Sequence, residues 1–241
     1  MQKLRDWLSA NKILFETIAA FLLSAMAIIV SIAQTATSFR QTQLSALQTQ
    51  IAEAQALPQF EVAIHQKLND ATNKYDDDQL VISNRGGPVH DFLASSAYFI
   101  KVTVGSAGAK VLMIEVPIGD YFTASFVSVA STGQLVTMIG NHNNAAVADL
   151  SRTLREVAHA KGLVFADLGE HLIVRLLYRD LLDRQHDDYY EVQPVSGGTR
   201  VTNDVGKSSF DHWTAAQQVM LANLSADDLL NRVLRDGVAN P

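Results

Sequence analysis

Three hydrophobic patterns follow one another along the chain, and the first is an unbroken apolar run over residues 13–33. Its only charged residue is Glu16, close to its start, and no charge occurs from Thr17 to Phe39. A helix of about 20 residues at about 1.5 Å per residue spans roughly 30 Å, which is the thickness of a bilayer's hydrocarbon core. The run lacks the polar face that a helix on a protein surface would need. It therefore predicts a transmembrane helix.

A cleaved signal peptide is the alternative for the same run. The basic start, the apolar stretch and the small residues Ser31 and Ala33 resemble the three parts of such a peptide. The stretch is longer than the roughly 7–15 apolar residues of a signal peptide, which favours a retained anchor.

The basic residues beside the run predict its orientation. Lys3, Arg5 and Lys12 precede it, whereas only Arg40 follows it before Lys67. Basic residues are enriched on the cytoplasmic side of membrane helices. We therefore expect a single-pass protein of the bacterial inner membrane, with a cytoplasmic N-terminus and a main domain on the periplasmic side.

The second pattern is a polar segment, residues 34–57, which is rich in Gln and Ala and contains neither Gly nor Pro. These are good helix formers, so the segment predicts a helical stalk that ends before Pro58. Leu44, Leu47 and Ile51 form one apolar stripe, for which self-association into a homo-oligomer is the first interpretation. The alternative is a solitary helix that lies on its own domain.

The third pattern begins after Pro58, where apolar residues recur at every second position. This alternation predicts strands, at about residues 60–64, 79–83, 97–104, 110–116, 120–130, 134–139, 171–179 and 186–193. Short alternating strands separated by turns are typical of antiparallel sandwiches or barrels. The acidic run at residues 76–78 falls before the second of these strands and is interpreted as part of a solvated turn.

Three segments have the spacing of amphipathic helices instead: residues 145–161 and two segments that follow residue 205. Each follows a residue whose side chain can cap a helix N-terminus. These caps are Asn143 or Asn144, then Ser209, then Ser225 together with Asp228.

The organisation predicted from these patterns is an N-terminal transmembrane helix plus helical stalk, then a mainly-β domain with one inserted helix and two C-terminal helices. The predicted boundaries are 1–12 for a basic cytoplasmic N-terminus, 13–33 for the membrane helix, 34–57 for the stalk, 58–205 for an antiparallel β-sandwich, and 206–241 for helices packed on it.

Two segments carry a resemblance to known proteins. VISNRGGPVHDF, residues 81–92, resembles the first turn of bacterial immunoglobulin-like sandwiches. LLYRDLLDRQHDDYYEV, residues 176–192, resembles the late hairpin of uncharacterised bacterial single-pass membrane proteins with a C-terminal immunoglobulin-like β-sandwich. The likeness extends over about residues 10–195. It implies an immunoglobulin-like fold and no activity, because a sandwich hosts many functions.

Composition excludes several classes of function. The chain has no cysteine, which removes disulfides, thiolate metal sites and cysteine nucleophiles. Its net charge of −6 argues against nucleic acid as a partner. Apolar residues make up 48% of the chain, enough for a sizeable core.

Motifs for catalysis are weak. No Gly-x-Ser-x-Gly occurs, so a nucleophile elbow is unsupported. Gly206-Lys207-Ser208 matches the end of a phosphate-binding loop, but Val201 stands where that loop needs glycine. His186-Asp187-Asp188 is the densest group of potential metal ligands, and a solvated hairpin explains it better. We expect no enzyme activity, no cofactor and no metal.

The function predicted from the sequence is a membrane-anchored binding or scaffold protein that presents its β-sandwich to a protein or ligand partner. Two alternatives remain open: a membrane effector of a bacterial antiviral defence system that oligomerises and perturbs the bilayer, and an unrecognised hydrolase. The candidate partner-binding residues are Asn84, Arg175, Arg179, His186, Asp188 and Tyr189.

Overall fold

A computed structural model describes residues 2–106, 111–193 and 196–239. The chain divides into two compact units, Met1–Ala54 and Gln55–Pro241.

The N-terminal unit is helical. Helix α1 covers Gln2–Ala10, and helix α2 runs without a break over Lys12–Ala56. Helix α2 is long and apolar enough to cross a membrane, and none of its residues is buried in the protein. The hydroxyl of Thr35 donates a hydrogen bond to the carbonyl of Ser31, four residues earlier. This polar group is therefore satisfied within the helix and does not require water. The long apolar N-terminal helix predicted from the sequence is confirmed, and it ends two residues before Pro58.

The second unit is built from ten strands among the described residues. In chain order they are β1 Phe60–Asn69, β2 Lys74–Asn84, β3 His90–Gly105, β4 Leu112–Ile118, β5 Ala124–Val127, β6 Gly133–Ile139, β7 Phe165–Arg179, β8 Gln185–Gln193, β9 Gly197–Val201 and β10 Val238–Ala239. They form one sheet in the order β1-β2-β6-β5 and a second in the order β10-β4-β3-β7-β8-β9. All neighbouring strands are antiparallel.

Three α-helices accompany these strands. They are α3 Asn143–Ala160, α4 Asn203–Ala215 and α5 Ala226–Asp236, with a 3₁₀ helix at Leu221–Asn223. The coarse prediction of a mainly-β domain with antiparallel sheets and added helices is therefore confirmed.

Alternation along the strands places the core between the two sheets. Leu80 of β2, Ile100 of β3 and Leu172 of β7 are buried in one cluster that also takes in Leu154 of α3 and Leu230 of α5. Helices α3 and α5 thus complete the same core that the sheets begin. Burial of each such side chain contributes about 1.5–3 kcal/mol.

The six-stranded sheet has a second buried patch on its opposite face. Helix α4 covers this face, and Phe210 packs there with Phe99, Ile173 and Tyr189. Consequently both Tyr189 and its neighbour Tyr190 are buried, although they point to opposite sides of β8. If only one face of the six-stranded sheet were covered, only one of these two tyrosines would be buried.

The helix caps differ from their prediction at two of three places. Ser225 Oγ accepts a hydrogen bond from the Asp228 backbone N–H at 3.1 Å, which confirms that cap. Helix α4 begins at Asn203, so Ser209 lies within it and the predicted cap is wrong. Helix α3 follows His142, and the side chain of Asn143 bonds to a neighbouring strand instead of capping.

The acidic run at residues 76–78 was expected in a solvated turn, and that prediction is wrong. The turn is shorter, and Lys74–Asn84 is one continuous strand. Because side chains alternate along β2, Asp76 and Asp78 point inward and are buried.

Candidate functional site

Most of the candidate residues predicted from the sequence lie on the hairpin of β7 and β8. Arg175 and Asp187 form a two-bond pair, with Nε and Nη2 donating to the two carboxylate oxygens at 2.9 and 2.8 Å. The guanidinium carbon also lies 5.8 Å from the ring centres of Tyr189 and Phe210. Arg175 and Tyr189 are therefore used to hold α4 on the sheet.

His186 and Asp180 close the turn of this hairpin. His186 Nε2 lies 3.0 Å from Asp180 Oδ2, and its ring stacks on Tyr178 with 4.8 Å between centres. Arg184 donates its Nε to the same Asp180 oxygen at 2.8 Å. Burial acts to raise the pKa of Asp180, but hydrogen bonds from the Arg184 backbone and from the side chains of His186 and Arg184 outweigh it and hold that pKa below its usual value.

Asp188 is buried on the inner face of β8. Its carboxylate accepts from the Tyr178 hydroxyl at 2.8 Å and from Arg200 Nη2 of β9 at 2.5 Å. Burial, followed by the hydrogen bond with Asp188, raises the pKa of Tyr178. Removing Arg200 would leave a buried carboxylate without its cation, which is costly.

Arg179 is more exposed than the other candidates on this hairpin. Its Nη1 donates to Asp183 at 3.0 Å, and its Nε lies 3.4 Å from Asp91. Both carboxylates are well exposed, so these pairs contribute little to stability.

Asn84 belongs to the other sheet and organises the chain around it. Its Oδ1 accepts from the backbone N–H groups of Gln59 and Gly86, both at 3.0 Å. Its Nδ2 donates to the carbonyls of Gly87 and Ser131 at 2.7 and 3.2 Å. The side chain is buried, and these four bonds use its full capacity.

A cavity on the outer face of the six-stranded sheet brings together charged residues that were not predicted from the sequence. Its volume is about 480 Å³. The lining residues are Lys101, Glu115, Glu170, His171, Glu191, Val192 and Gln193.

Strand register explains this convergence. Lys101 of β3 lies directly opposite Glu115 of β4, while His171 of β7 lies opposite Phe99. Glu191 of β8 shares the same face, since alternate residues of paired strands point the same way. The four charged groups come from two pairs of consecutive strands, β3 with β4 and β7 with β8, and the two pairs are far apart in sequence. A single charged residue within an otherwise apolar strand, as at Lys101, was the one signal available in advance.

His171 lies between two carboxylates in this cavity. Nδ1 is 3.6 Å from Glu115 Oε1, and Nε2 is 3.8 Å from Glu191 Oε1. Both distances exceed a hydrogen bond, and the buried Nδ1 makes no hydrogen bond with the described residues. The ring also stacks on Phe99 with 5.6 Å between centres.

The charges in the cavity shift one another's pKa. Glu115 and, more weakly, Glu191 raise the pKa of His171 above its usual value, although burial opposes this. His171 in turn holds the pKa of Glu115 below its usual value, and Lys101 adds to the effect. The two neighbouring carboxylates therefore favour the imidazolium form of His171 more than water does.

Glu170 links the cavity to a buried network of tyrosines. Its Oε2 accepts from the Tyr98 hydroxyl at 2.7 Å. The Tyr121 hydroxyl lies 2.6 Å from Asp78 Oδ2 and 3.5 Å from Glu170 Oε2. The two tyrosine rings stack with 3.6 Å between centres. Asn143 fixes the same region, donating to the Tyr121 carbonyl at 3.1 Å.

The two carboxyl groups of this network share an apolar environment. Burial raises the pKa of Asp78 and of Glu170, and the hydrogen bonds from Tyr121 and Tyr98 only partly offset it. Asp78 Oδ1 makes no hydrogen bond with the described residues. No cation among those residues forms a salt bridge with either carboxyl. These surroundings therefore favour the protonated form of each carboxyl more than water does.

The described residues contain no group of three or more His, Asp or Glu side chains arranged to hold a metal ion. The class that the structure defines is a mainly-β domain of two antiparallel sheets, preceded by a helix long and apolar enough to cross a membrane. No protein-family model, curated protein or solved structure matches this chain.

Proposed function

We propose that the protein is a membrane-anchored, non-enzymatic binding protein whose β-domain presents a ligand site outside the bilayer. The exposure of apolar side chains on helix α2 is the observation that supports the membrane anchor. Phe21, Leu23 and Ile29 are each about two-thirds exposed or more, and exposed apolar side chains surround the helix over residues 13–33. Soluble proteins rarely expose apolar patches of this extent, and a bilayer would cover it.

The location in this proposal is the bacterial inner membrane, with the N-terminus in the cytoplasm. The basic residues Lys3, Arg5 and Lys12 before the apolar run support that orientation. The immunoglobulin-like assignment belongs to the same proposal, and two antiparallel sheets over one core support it.

The cavity on the outer sheet face is the binding site in this proposal, and its ligand carries an amine or guanidinium group. Two partly exposed carboxylates, those of Glu115 and Glu191, line its outer side together with one lysine and one histidine, whereas the carboxylate of Glu170 turns inward to Tyr98. The side chains of Glu115 and Glu191 remain 35% and 45% exposed, so in this proposal a ligand cation donates hydrogen bonds to them from the solvent side of His171. Recognition is favoured over catalysis because neither hydroxyl nor thiol nucleophiles line the cavity among the described residues.

Thermal unfolding of the full chain in a nonionic detergent tests this ligand class. Spermidine should raise the midpoint temperature, whereas citrate at equal ionic strength should not. Glu191→Gln should abolish the spermidine shift. Glu156→Gln, an exposed position on α3, is the matched control and should retain it. Equal responses to both probes, or no response to spermidine, would contradict the assignment of the cavity.

A further inference from the structure

The four-stranded sheet ends in an open, apolar edge. Strand β5 is the terminal strand, and all four of its residues are exposed. Phe126, Val127 and the following Val129 leave most of their surface uncovered. No charged residue or histidine occurs from Tyr121 to Asn141, so the whole edge is neutral.

The other sheet edges in the described part of the chain are protected. Strand β1 packs beside β9, where a Cβ added at Gly198 would lie 2.8 Å from Val62 Cβ. Strand β1 also carries Glu61 and Lys67, and β9 carries Arg200. Strand β10 has only two residues. Proteins prevent edge pairing with charged residues, with covering elements or with very short edge strands. Strand β5 carries no charge, and no described element covers it.

We propose that β5 pairs with β5 of a second copy of this chain, antiparallel and across a two-fold axis. The lack of charge on β5 favours a second copy of the chain as its partner. A two-fold interface brings the same strand against itself, so any charge on it would face an identical charge nearby. Strand β5 has no such charge, and aromatic and β-branched residues form favourable pairs between strands. Pairing would also provide partners for the outward backbone groups of β5, which pair with no other strand in the described part of the chain.

A groove and an exposed apolar side chain lie beside this edge. A groove of about 190 Å³ lies over β5 and β6, lined by residues 126–128 and 134–137. Val129 projects fully into solvent just beyond β5. Across a two-fold axis, each Val129 can occupy the groove of the other copy, so a single contact is made twice.

The experiment separates this edge from the stalk. The full chain is prepared in nonionic detergent with Leu44, Leu47 and Ile51 changed to Ser, and its protein mass is measured by light scattering at tens of micromolar. We expect a dimer in this background. Adding Val127→Lys should produce a monomer, because two ammonium groups would meet at the paired edge.

Val164→Lys is the matched control, since Val164 and Val127 are 64% and 59% exposed. It should leave the dimer intact. Ser125→Lys replaces a residue that is already polar and should repeat the effect of Val127→Lys if that variant fails to fold by circular dichroism. A monomer before either lysine is introduced, a dimer that survives both, or a larger assembly would overturn the proposal. The spermidine result has no bearing on it.

Discussion

The hydroxyl of Tyr121 lies 2.6 Å from Asp78 Oδ2 in the interior of the domain, and this contact connects two carboxyl groups that form no salt bridge with the residues that the structure describes. The second is Glu170, 3.5 Å from the same hydroxyl. A pair of ionised carboxylates in this position would repel each other and would lose their hydration. The stability of the domain should therefore fall as these two carboxyl groups ionise.

Asp78→Asn should stabilise the domain above neutral pH. Burial raises the folded-state pKa of Asp78 above its unfolded value, so its protonated form favours folding. That contribution is fully present below the unfolded pKa and is lost as pH rises through the folded pKa. Each pH unit between the two pKa values changes the free energy of unfolding by about 1.4 kcal/mol. Thermal unfolding at pH 5 and pH 8 should show a smaller loss of stability for Asp78→Asn than for the parent chain.

Asp70→Asn is the control for this change, because Asp70 is exposed in the turn between β1 and β2. It should leave the pH dependence unaltered. An Asp78→Asn variant that is less stable than the parent at pH 8 would show that the ionised carboxylate is the favoured form.

Gly206→Ala should destabilise the domain by about 1–3 kcal/mol, although alanine is the better helix former. Gly206 is where α4 approaches β8, and an added Cβ would overlap the side chain of Tyr189. Chemical denaturation measures the change. Ser208→Ala, exposed on the same helix, should be neutral or slightly stabilising. Equal effects of the two substitutions would mean that α4 has room to move away from the sheet.

The fragment Gln55–Pro241 should fold alone. It contains the whole core, and it retains Leu57, whose carbonyl accepts from the Gly87 backbone N–H at 2.9 Å. We expect a cooperative thermal transition and a circular dichroism spectrum dominated by β structure. A mainly helical spectrum would contradict the strand assignment.

The stripe of Leu44, Leu47 and Ile51 should strengthen self-association of the full chain. All three side chains are more than half exposed on α2, and burial of each would contribute about 1.5–3 kcal/mol at most. Changing all three to Ser should raise the dissociation constant by about tenfold or more, a difference of about 1.4 kcal/mol. Light scattering over a dilution series measures it, and an unchanged constant would place the association entirely elsewhere.

A reporter fused after Pro241 tests the orientation. The basic residues Lys3, Arg5 and Lys12 predict that the β-domain is exported. Alkaline phosphatase, which is active only after export, should give signal, whereas a fused cytoplasmic β-galactosidase should be silent. The reverse pattern would reverse the topology. Changing the three basic residues to Gln should reduce the phosphatase signal.

The sequence by itself determined the features that depend on neighbouring residues. The apolar run and the Gln-rich segment predicted one long helix, and Pro58 marked its end, because backbone sterics act locally. Alternation at Tyr98, Ile100 and Val102 predicted the strand that became the centre of the six-stranded sheet. The Ser225 cap likewise needed only a residue three positions away.

Only the tertiary structure decided which strands meet and which faces are covered. Register between distant strands placed Lys101, Glu115, His171 and Glu191 in one cavity, and no short motif encodes that pairing. An acidic run looks solvated in sequence. However, alternation along β2 turns Asp78 inward. There its carboxylate accepts a hydrogen bond from Tyr121, which is 43 residues away along the chain. Helix α4 began before its predicted cap because packing of its apolar face on β8, not a local hydrogen bond, determines where it lies.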